Sequence, residues 1–442
     1  AAVRRRQPAG RAFLLDAGDW TSSDLAGPAR PLLNTDFLGF LVLAVAGFFV
    51  ARRLLRSHWQ PAAELGSPAF FWWALAWSVC GIVHEIDRFV PHPLQLATTV
   101  GTVAVGAALL MLVRRRLAWP IALYPVTALL PFMFVAGTVA AIEAHPLADG
   151  GYVAWPLAFA VQYLFVAMLD REPGLVRRAA PAFHVATFLV AVAFLQVEAR
   201  WFGREVFDLS QQTLAAVYLG LLAAGLFSIT LALRHGVWPF RTHPITYLLA
   251  AGGVLVVAIG FALLGVNLAH EGTAWRGTYV PLLNPVDLAS VAALAALVPW
   301  QATLWRDAID LPYGRREASI VFGVAAFFVV NCMLLRALHH WAGTPYGDGM
   351  LGSTLVQTVL TVFWTVLSVV GMVIATRSSR RVLWLAGAGL LGVVVVKLFV
   401  FDLATLRGLQ RIVAFLVVGL LLLAIGYFSP VPPRVAEEAR ET

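Results

Sequence analysis

The chain has 442 residues, of which 60% are hydrophobic and only 13% are charged, and its mean hydropathy is +0.80. Soluble domains contain about a quarter charged residues, so this composition excludes one water-soluble core and favours a membrane protein. The net charge is +8, and Lys397 is the only lysine. Because the arginines fall in short clusters between apolar segments, they indicate membrane orientation and not a nucleic-acid-binding surface.

Thirteen apolar segments are each long enough to cross a bilayer as a helix, which requires about 20 residues. In chain order, the predicted spans are 33–54, 69–89, 92–113, 120–142, 151–169, 180–199, 211–233, 244–268, 284–305, 318–338, 353–376, 382–401 and 410–428. The predicted fold class is therefore all-α, a polytopic integral membrane bundle of about 13 transmembrane helices.

Matched landmarks predict a parallel internal repeat of helices 1–5 and 9–13. The sequence Pro-Leu-Leu-Asn opens the first helix at 31–34 and the ninth at 281–284. The next helix in each copy carries a cysteine followed by a histidine, Cys80 with His84 and Cys332 with His339. Eight helices separate the copies, so both have the same orientation. The alternative is chance similarity among apolar helices.

The repeat and the arginines together predict the domain organisation. One alternate set of connectors contains 19 arginines and the other contains seven, with five more in the N-terminal tail. The positive-inside rule places the arginine-rich connectors in the cytoplasm, and we expect a cytoplasmic C-terminus. The predicted parts are an extracytoplasmic segment 1–32, a first repeat 33–169, linking helices 180–268, a second repeat 284–428 and a cytoplasmic tail 429–442. The outward N-terminus suggests that another helix precedes Ala1.

A polar layer is expected at the arginine-poor ends of the helices, meaning the ends beside the connectors with few arginines. Its members are His84, Glu85, Asp87, Glu143, His145, His270, Glu271, His339, His340, Lys397, Asp402 and Arg411. Ionisable groups near the hydrocarbon core are costly, so their placement carries information. Carboxylates and histidines there can bind a cation or an anionic headgroup, or exchange protons. The alternative is that they cap helices and pair with one another.

Among the members of this polar layer, Lys397 is the most specific candidate for a functional residue. It lies about 24 Å along its helix from Arg381, within the outer third of the hydrocarbon. We expect a carboxylate partner, Asp402 or Glu143, or a side chain that extends to the outer surface. Arg411 is expected to pair with Asp402. Simple anchoring at the interface is the alternative for Lys397.

Motifs for soluble-enzyme chemistry and metal binding are absent from the sequence. It contains no HExxH or other zinc spacing, no P-loop, no GxSxG elbow, no GxGxxG turn after a strand and no CxxCH. The sequence therefore predicts no metal site and no cofactor. Cys80 and Cys332 lie in apolar segments and are interpreted as packing thiols.

Several C-terminal segments resemble a family of large, uncharacterised bacterial inner-membrane proteins, known only as predicted membrane proteins with a domain of unknown function. The segments are PLLNPVDLA at 281–289, ALHHWAGTPY at 337–346, STLVQT at 353–358, KLFVFDL at 397–403, RIVAF at 411–415 and GYFSPVPP at 426–433. The resemblance implies that this chain corresponds to the C-terminal half of a longer protein. It supports the choice of Lys397, Asp402 and Arg411, and it implies no activity.

Three functions are compatible with this sequence. The first is binding or translocation of an envelope component, a lipid-linked or anionic molecule, at a polar site facing the periplasm. The second is a membrane-embedded transferase or hydrolase acting on lipid-linked glycan, with Glu85 and Asp87 as its acidic pair. The third is a non-catalytic scaffold for envelope machinery. The expected partners are membrane lipids and either an upstream half of the same protein or another envelope protein, without nucleic acid.

Overall fold

The computed structural model describes residues 30–58, 60, 62–173, 175–272, 279–306, 314–347 and 349–398, with the isolated positions 419 and 423. Every regular element in these ranges is a helix, and eleven of the helices there are long and apolar enough to cross a membrane. The predicted all-α membrane bundle is confirmed, whereas the count of 13 is not. The predicted twelfth span corresponds to a 17-residue helix, and the thirteenth lies outside the described residues except for positions 419 and 423.

The chain divides into two compact units, Ala1–Met168 and Leu169–Thr442. The helices of unit 1 are α1 (Thr35–Leu55), α2 (Ser67–Phe89), α3 (His92–Leu117), α4 (Leu129–Glu143) and α5 (Gly151–Leu169), whose last residue belongs to unit 2. Helix α1 packs along α2, and α3 contacts α2 and α4. The division falls at the end of the first predicted repeat, 33–169. The repeat and all of the predicted domain boundaries stay predictions.

Unit 2 continues the series with seven further helices. They are α6 (Leu175–Trp201), α7 (Gln211–Arg234), α8 (Gly252–Ala269), α9 (Pro285–Arg306), α10 (Arg315–Ala342), α11 (Thr354–Arg377) and α12 (Arg381–Lys397). A short turn, Pro244–Thr246, and a wide turn, Tyr247–Ala251, lead directly into α8. Helix α7 packs along α9 and α8, and α11 pairs with α12. The largest core lies between α7, α8 and α9.

Large apolar side chains point outward along the spans. Val42, Phe49 and Phe261 are all more than half exposed, although each lies inside a membrane-length helix. In water this surface would be strongly unfavourable, whereas lipid tails solvate it without cost. The outer surface of each unit is therefore suited to hydrocarbon, and the polar groups that remain inside need partners from the protein itself.

Close approach between α8 and α9 depends on one glycine. Trp300 on α9 donates its Nε1–H to the carbonyl oxygen of Leu248 at 3.0 Å. A Cβ on Gly252 would lie 2.5 Å from that nitrogen, whereas a Cβ on the neighbouring Gly253 would meet nothing within 4 Å. Small residues at such crossings let membrane helices pack backbone against side chain.

We expect Gly252→Ala to destabilise unit 2, because the indole must move and its hydrogen bond to Leu248 must break. Overpacking of this kind costs about 1–3 kcal/mol. The thermal unfolding midpoint of the detergent-solubilised protein measures the effect, and Gly253→Ala is the matched control that should leave the midpoint unchanged. Equal midpoints for the two variants would contradict the packing described here.

Candidate functional site

The predicted site residues are divided between the two units. Unit 1 contains five of them: His84, Glu85, Asp87, Glu143 and His145. Unit 2 contains another five: His270, Glu271, His339, His340 and Lys397. Asp402 and Arg411 lie outside the described residues. Each unit is therefore considered by itself.

In unit 1 the Pro-Leu-Leu-Asn turn wraps around the carboxylate of Glu85. Leu32 has a φ of 63°, a left-handed conformation that costs a non-glycine residue about 1–2 kcal/mol. Its N–H donates to Glu85 Oε2 at 2.8 Å, and the Asn34 side-chain amide donates to Glu85 Oε1 at 2.6 Å. Asn34 also caps α1 by accepting from the N–H of Phe37. Glu85 is buried and acts as the acceptor that holds this turn.

The second Pro-Leu-Leu-Asn sequence forms the same turn in unit 2. Leu282 has a φ of 70°, and its N–H donates to Asp287 Oδ2 at 3.2 Å. The Asn284 amide donates to the same oxygen at 2.6 Å and accepts from the Asp287 N–H. The two turns share backbone conformation, asparagine cap and carboxylate acceptor. This likeness supports the proposed repeat.

The remaining candidates of unit 1 do not gather into one site. Arg88 and His84 lie 2.8 Å and 3.7 Å from Asp36 Oδ2, at side chains that are close to half exposed. Exposed pairs of this kind contribute little. Asp87 and Glu143 are exposed, and His145 is half-buried.

Unit 2 contains a fully buried ion pair beneath its arginine-poor end. Arg336 on α10 donates from Nη1 to Asp287 Oδ1 on α9 at 2.6 Å, and both side chains are 0% exposed. Arg336 is one of the seven arginines assigned above to the arginine-poor connectors, and that assignment is wrong, because the residue lies inside α10. Asp287 was not among the predicted site residues. An arginine within the predicted span 318–338 was the available signal for this pair.

Further protein groups complete the hydrogen bonding of the pair. The Nη2 atom of Arg336 donates to the side-chain and backbone oxygens of Asn267, and its Nε donates to the backbone oxygen of His270. The Tyr279 hydroxyl donates to Asp287 Oδ2 at 2.8 Å, beside the Leu282 and Asn284 donors. A buried charge that is paired and hydrogen-bonded in this way is tolerated and rigid.

Four predicted residues come together above this pair, and we call them the histidine rim: His270, Glu271, His339 and His340. His339 Nε2 lies 3.2 Å from Glu271 Oε2, with side chains 24% and 49% exposed. His340 Nε2 lies 2.8 Å from the Gly272 backbone oxygen, and its ring stacks on Tyr279 with centroids 4.8 Å apart. The rim is thus fixed from below and partly open above.

Burial and the nearby guanidinium shift the protonation of groups in the connectors. Burial, followed by the positive charge of Arg336, holds the pKa of His270 below its usual range. Burial raises the pKa of Tyr346 to about 12, and it also raises the pKa of Tyr279. Tyr346 donates its hydroxyl to the Asn267 backbone oxygen at 2.8 Å. Both tyrosines therefore remain neutral hydrogen-bond donors at physiological pH.

Lys397 contacts uncharged groups on α11. Its Nζ donates to the Gln357 backbone oxygen at 3.1 Å and to the hydroxyl of Thr361. Asp402, its expected partner along the chain, lies outside the described residues. The expectation of a carboxylate partner for Lys397 therefore stays a prediction.

Lipid-suited helices, with buried charges satisfied inside the protein, define a multi-pass helical membrane protein. The chain belongs to the family described as "Predicted membrane protein (DUF2339)", whose model matches residues 12–432. The match covers the N-terminal helices as well as the C-terminal segments on which the resemblance rested. Neither a curated protein nor a solved structure matches the chain.

Replacing Arg336 alone should leave Asp287 buried without its counter-charge. We expect Arg336→Met to cost about 3–5 kcal/mol of stability, measured as a lowered thermal unfolding midpoint in detergent. The control is Arg88→Met, which removes an exposed pair worth at most about 1 kcal/mol. Adding Asp287→Asn to Arg336→Met should restore part of the loss. Similar midpoints for the two single arginine variants would argue against a buried pair.

The depressed pKa of His270 has a consequence below pH 6.5, the ordinary value for histidine. There the unfolded chain takes up a proton that the folded protein resists, so this residue lowers stability as the pH falls. We expect His270→Gln to make the unfolding midpoint less sensitive to acid between about pH 7 and pH 5. His92→Gln, at an exposed histidine, is the control and should keep the parent's pH dependence. A His270→Gln profile that follows the parent would refute the assignment.

Proposed function

We propose that this multi-pass membrane protein binds an envelope component, a lipid-linked or anionic molecule, at the histidine rim. The observation that carries the proposal is the arrangement of the rim itself. Two segments far apart in sequence bring His270 and Glu271 beside His339 and His340, partly exposed over a rigid buried base. Partly exposed imidazoles can donate hydrogen bonds to phosphate or carboxylate oxygens, and they gain positive charge as the pH falls.

Binding at the surface is favoured over translocation through unit 2. The floor of the rim is the Arg336–Asp287 pair, whose oxygens and most of whose N–H groups are already used by protein partners. A passing solute would have to break this network and leave charges unpaired in hydrocarbon, which is costly. The rim therefore suits capture or docking of a molecule from the membrane surface.

The scaffold function remains the second candidate, and the saturation of the polar groups favours it. Arg336, Asp287 and Glu85 are all occupied by internal partners in the described structure. Groups that only pair with one another stabilise helix packing and need no ligand. A transferase or hydrolase is less well supported. The Glu85 carboxylate already accepts hydrogen bonds from Leu32 and Asn34 in the turn before α1, and Asp87 is exposed.

The proposal includes an orientation. With the arginine-rich connectors in the cytoplasm of a bacterial cell, the rim faces the periplasm and the C-terminus lies inside. Membrane lipids are then the first candidates for the bound molecule. Another envelope protein is the candidate for a macromolecular partner.

The binding proposal predicts that a co-purifying lipid is lost when two histidines of the rim are replaced. The variant His339→Gln/His340→Gln removes two imidazoles, and the loss of two hydrogen bonds of about 1 kcal/mol each weakens binding by more than ten-fold. The measurement is identification and quantification, by mass spectrometry, of lipid extracted from the purified protein.

The matched control is His58→Gln/His92→Gln, at two exposed histidines outside the rim. It should keep the lipid content of the parent. If all three proteins carry the same lipids in the same amounts, the binding proposal fails and the scaffold remains.

A further inference from the structure

A second polar cluster lies at the arginine-rich end of unit 2, and three separate segments build it. Asp170 follows the last residue of α5, His184 lies in the early turns of α6, and His243 immediately precedes the turn Pro244–Thr246. We call these residues the Asp–His–His cluster. His184 is fully buried, and the side chains of Asp170 and His243 are 14% and 22% exposed.

The three side chains converge on one point. Asp170 Oδ1 lies 3.1 Å from His184 Nε2 and 2.9 Å from His243 Nε2. One ligand atom from each residue lies within 4.8 Å of the others. Around a tetrahedral zinc ion with bonds of about 2.0–2.1 Å, neighbouring ligand atoms are about 3.3 Å apart. The two distances to Asp170 are already close to this spacing, and the side chains must move together wherever a pair is nearer the 4.8 Å bound.

Tyr247 supplies an independent argument for a cation between these groups. Its hydroxyl lies 3.3 Å from the His184 backbone oxygen and 3.2 Å from His184 Nδ1. When the hydroxyl donates its one proton to the backbone oxygen, Nδ1 donates to the hydroxyl, and Nε2 of the neutral ring keeps a lone pair that faces both oxygens of Asp170 at 3.1 and 3.2 Å. A metal ion between this lone pair and the carboxylate suits that tautomer, whereas the tautomer protonated at Nε2 donates to Asp170 directly.

We propose that Asp170, His184 and His243 bind a divalent first-row transition cation, with zinc the best match to two imidazole nitrogens and one carboxylate. Three protein ligands leave a coordination position open, as in zinc sites that also bind water or substrate. The Tyr247 hydroxyl is the outer partner that fixes the tautomer and orientation of the His184 ring. Partial exposure of Asp170 and His243 gives the ion a route in from the arginine-rich end.

This site is independent of the histidine rim and of the binding proposed there. No short metal-binding motif contains these three residues, because His184 lies 14 positions and His243 lies 73 positions after Asp170. Arg171 and Arg241, close in sequence, are exposed, so water screens their charges from the cation. Tyr247 and the ring of Trp238 complete the wall beside His184.

The test uses the full chain, purified in detergent without a polyhistidine tag and stripped with a chelator. Zinc alone is then titrated by calorimetry, and its stoichiometry is checked by elemental analysis. Cobalt alone, whose visible absorption reports nitrogen and oxygen ligands, is added in a second titration. We expect one equivalent of metal in the parent, and at least about ten-fold weaker binding in His243→Gln and Asp170→Asn, since even an outer-partner change costs ten-fold or more.

His92→Gln is the control. That histidine is exposed and lies outside both the histidine rim and the Asp–His–His cluster, so its loss should leave the metal content unchanged. Tyr247→Phe should keep the stoichiometry and weaken the affinity by about ten-fold.

A parent protein that takes up neither zinc nor cobalt overturns the proposal, whatever the fate of the variants, and identifies the cluster as a hydrogen-bonded His–Asp–His group. Equal binding by the parent and a folded His243→Gln variant overturns it as well.

Discussion

The buried pair between Arg336 and Asp287 is the constraint on which the rest of unit 2 depends. A charge without water must be surrounded by partners, and here the partners come from several elements of unit 2. Asn267 comes from the end of α8, Tyr279 and the Leu282 turn from the connector before α9, and the guanidinium from α10. Three helices and one connector are thereby fixed at one point. The largest described core lies between α7, α8 and α9, and the ion pair links α8, α9 and α10 through side-chain hydrogen bonds.

The histidine rim follows from that constraint. Because Arg336 draws in the backbone oxygens of Asn267 and His270, the chain leaving α8 is held against α10. Glu271 and Gly272 are then within reach of His339 and His340, which lie one turn beyond Arg336. The contacts of Arg336 therefore fix the positions of the rim residues. Such preorganisation is what a binding site requires.

Much of the fold was accessible from the sequence, because hydropathy reports spans directly. The all-α membrane bundle and most span positions agree with the described helices, and the rim histidines were identified by their place at the arginine-poor ends. The sequence could not show which residues that are far apart along the chain contact each other in the fold. Arg336 was assigned to a connector because a charge near the end of an apolar segment resembles an interfacial residue. His184 and His243 were missed because only the fold brings them to Asp170.

The two Pro-Leu-Leu-Asn turns differ in where their acceptor comes from. In unit 1 the carboxylate lies 53 positions from the Leu32 N–H, on the next helix, whereas in unit 2 it lies five positions from the Leu282 N–H. A left-handed leucine is stable only when that acceptor is present. During synthesis, the turn before α9 can form as soon as Asp287 has left the ribosome. The entry to α1 has to wait for α2 to be inserted beside it, so one sequence motif marks an early step in one half of the chain and a late step in the other.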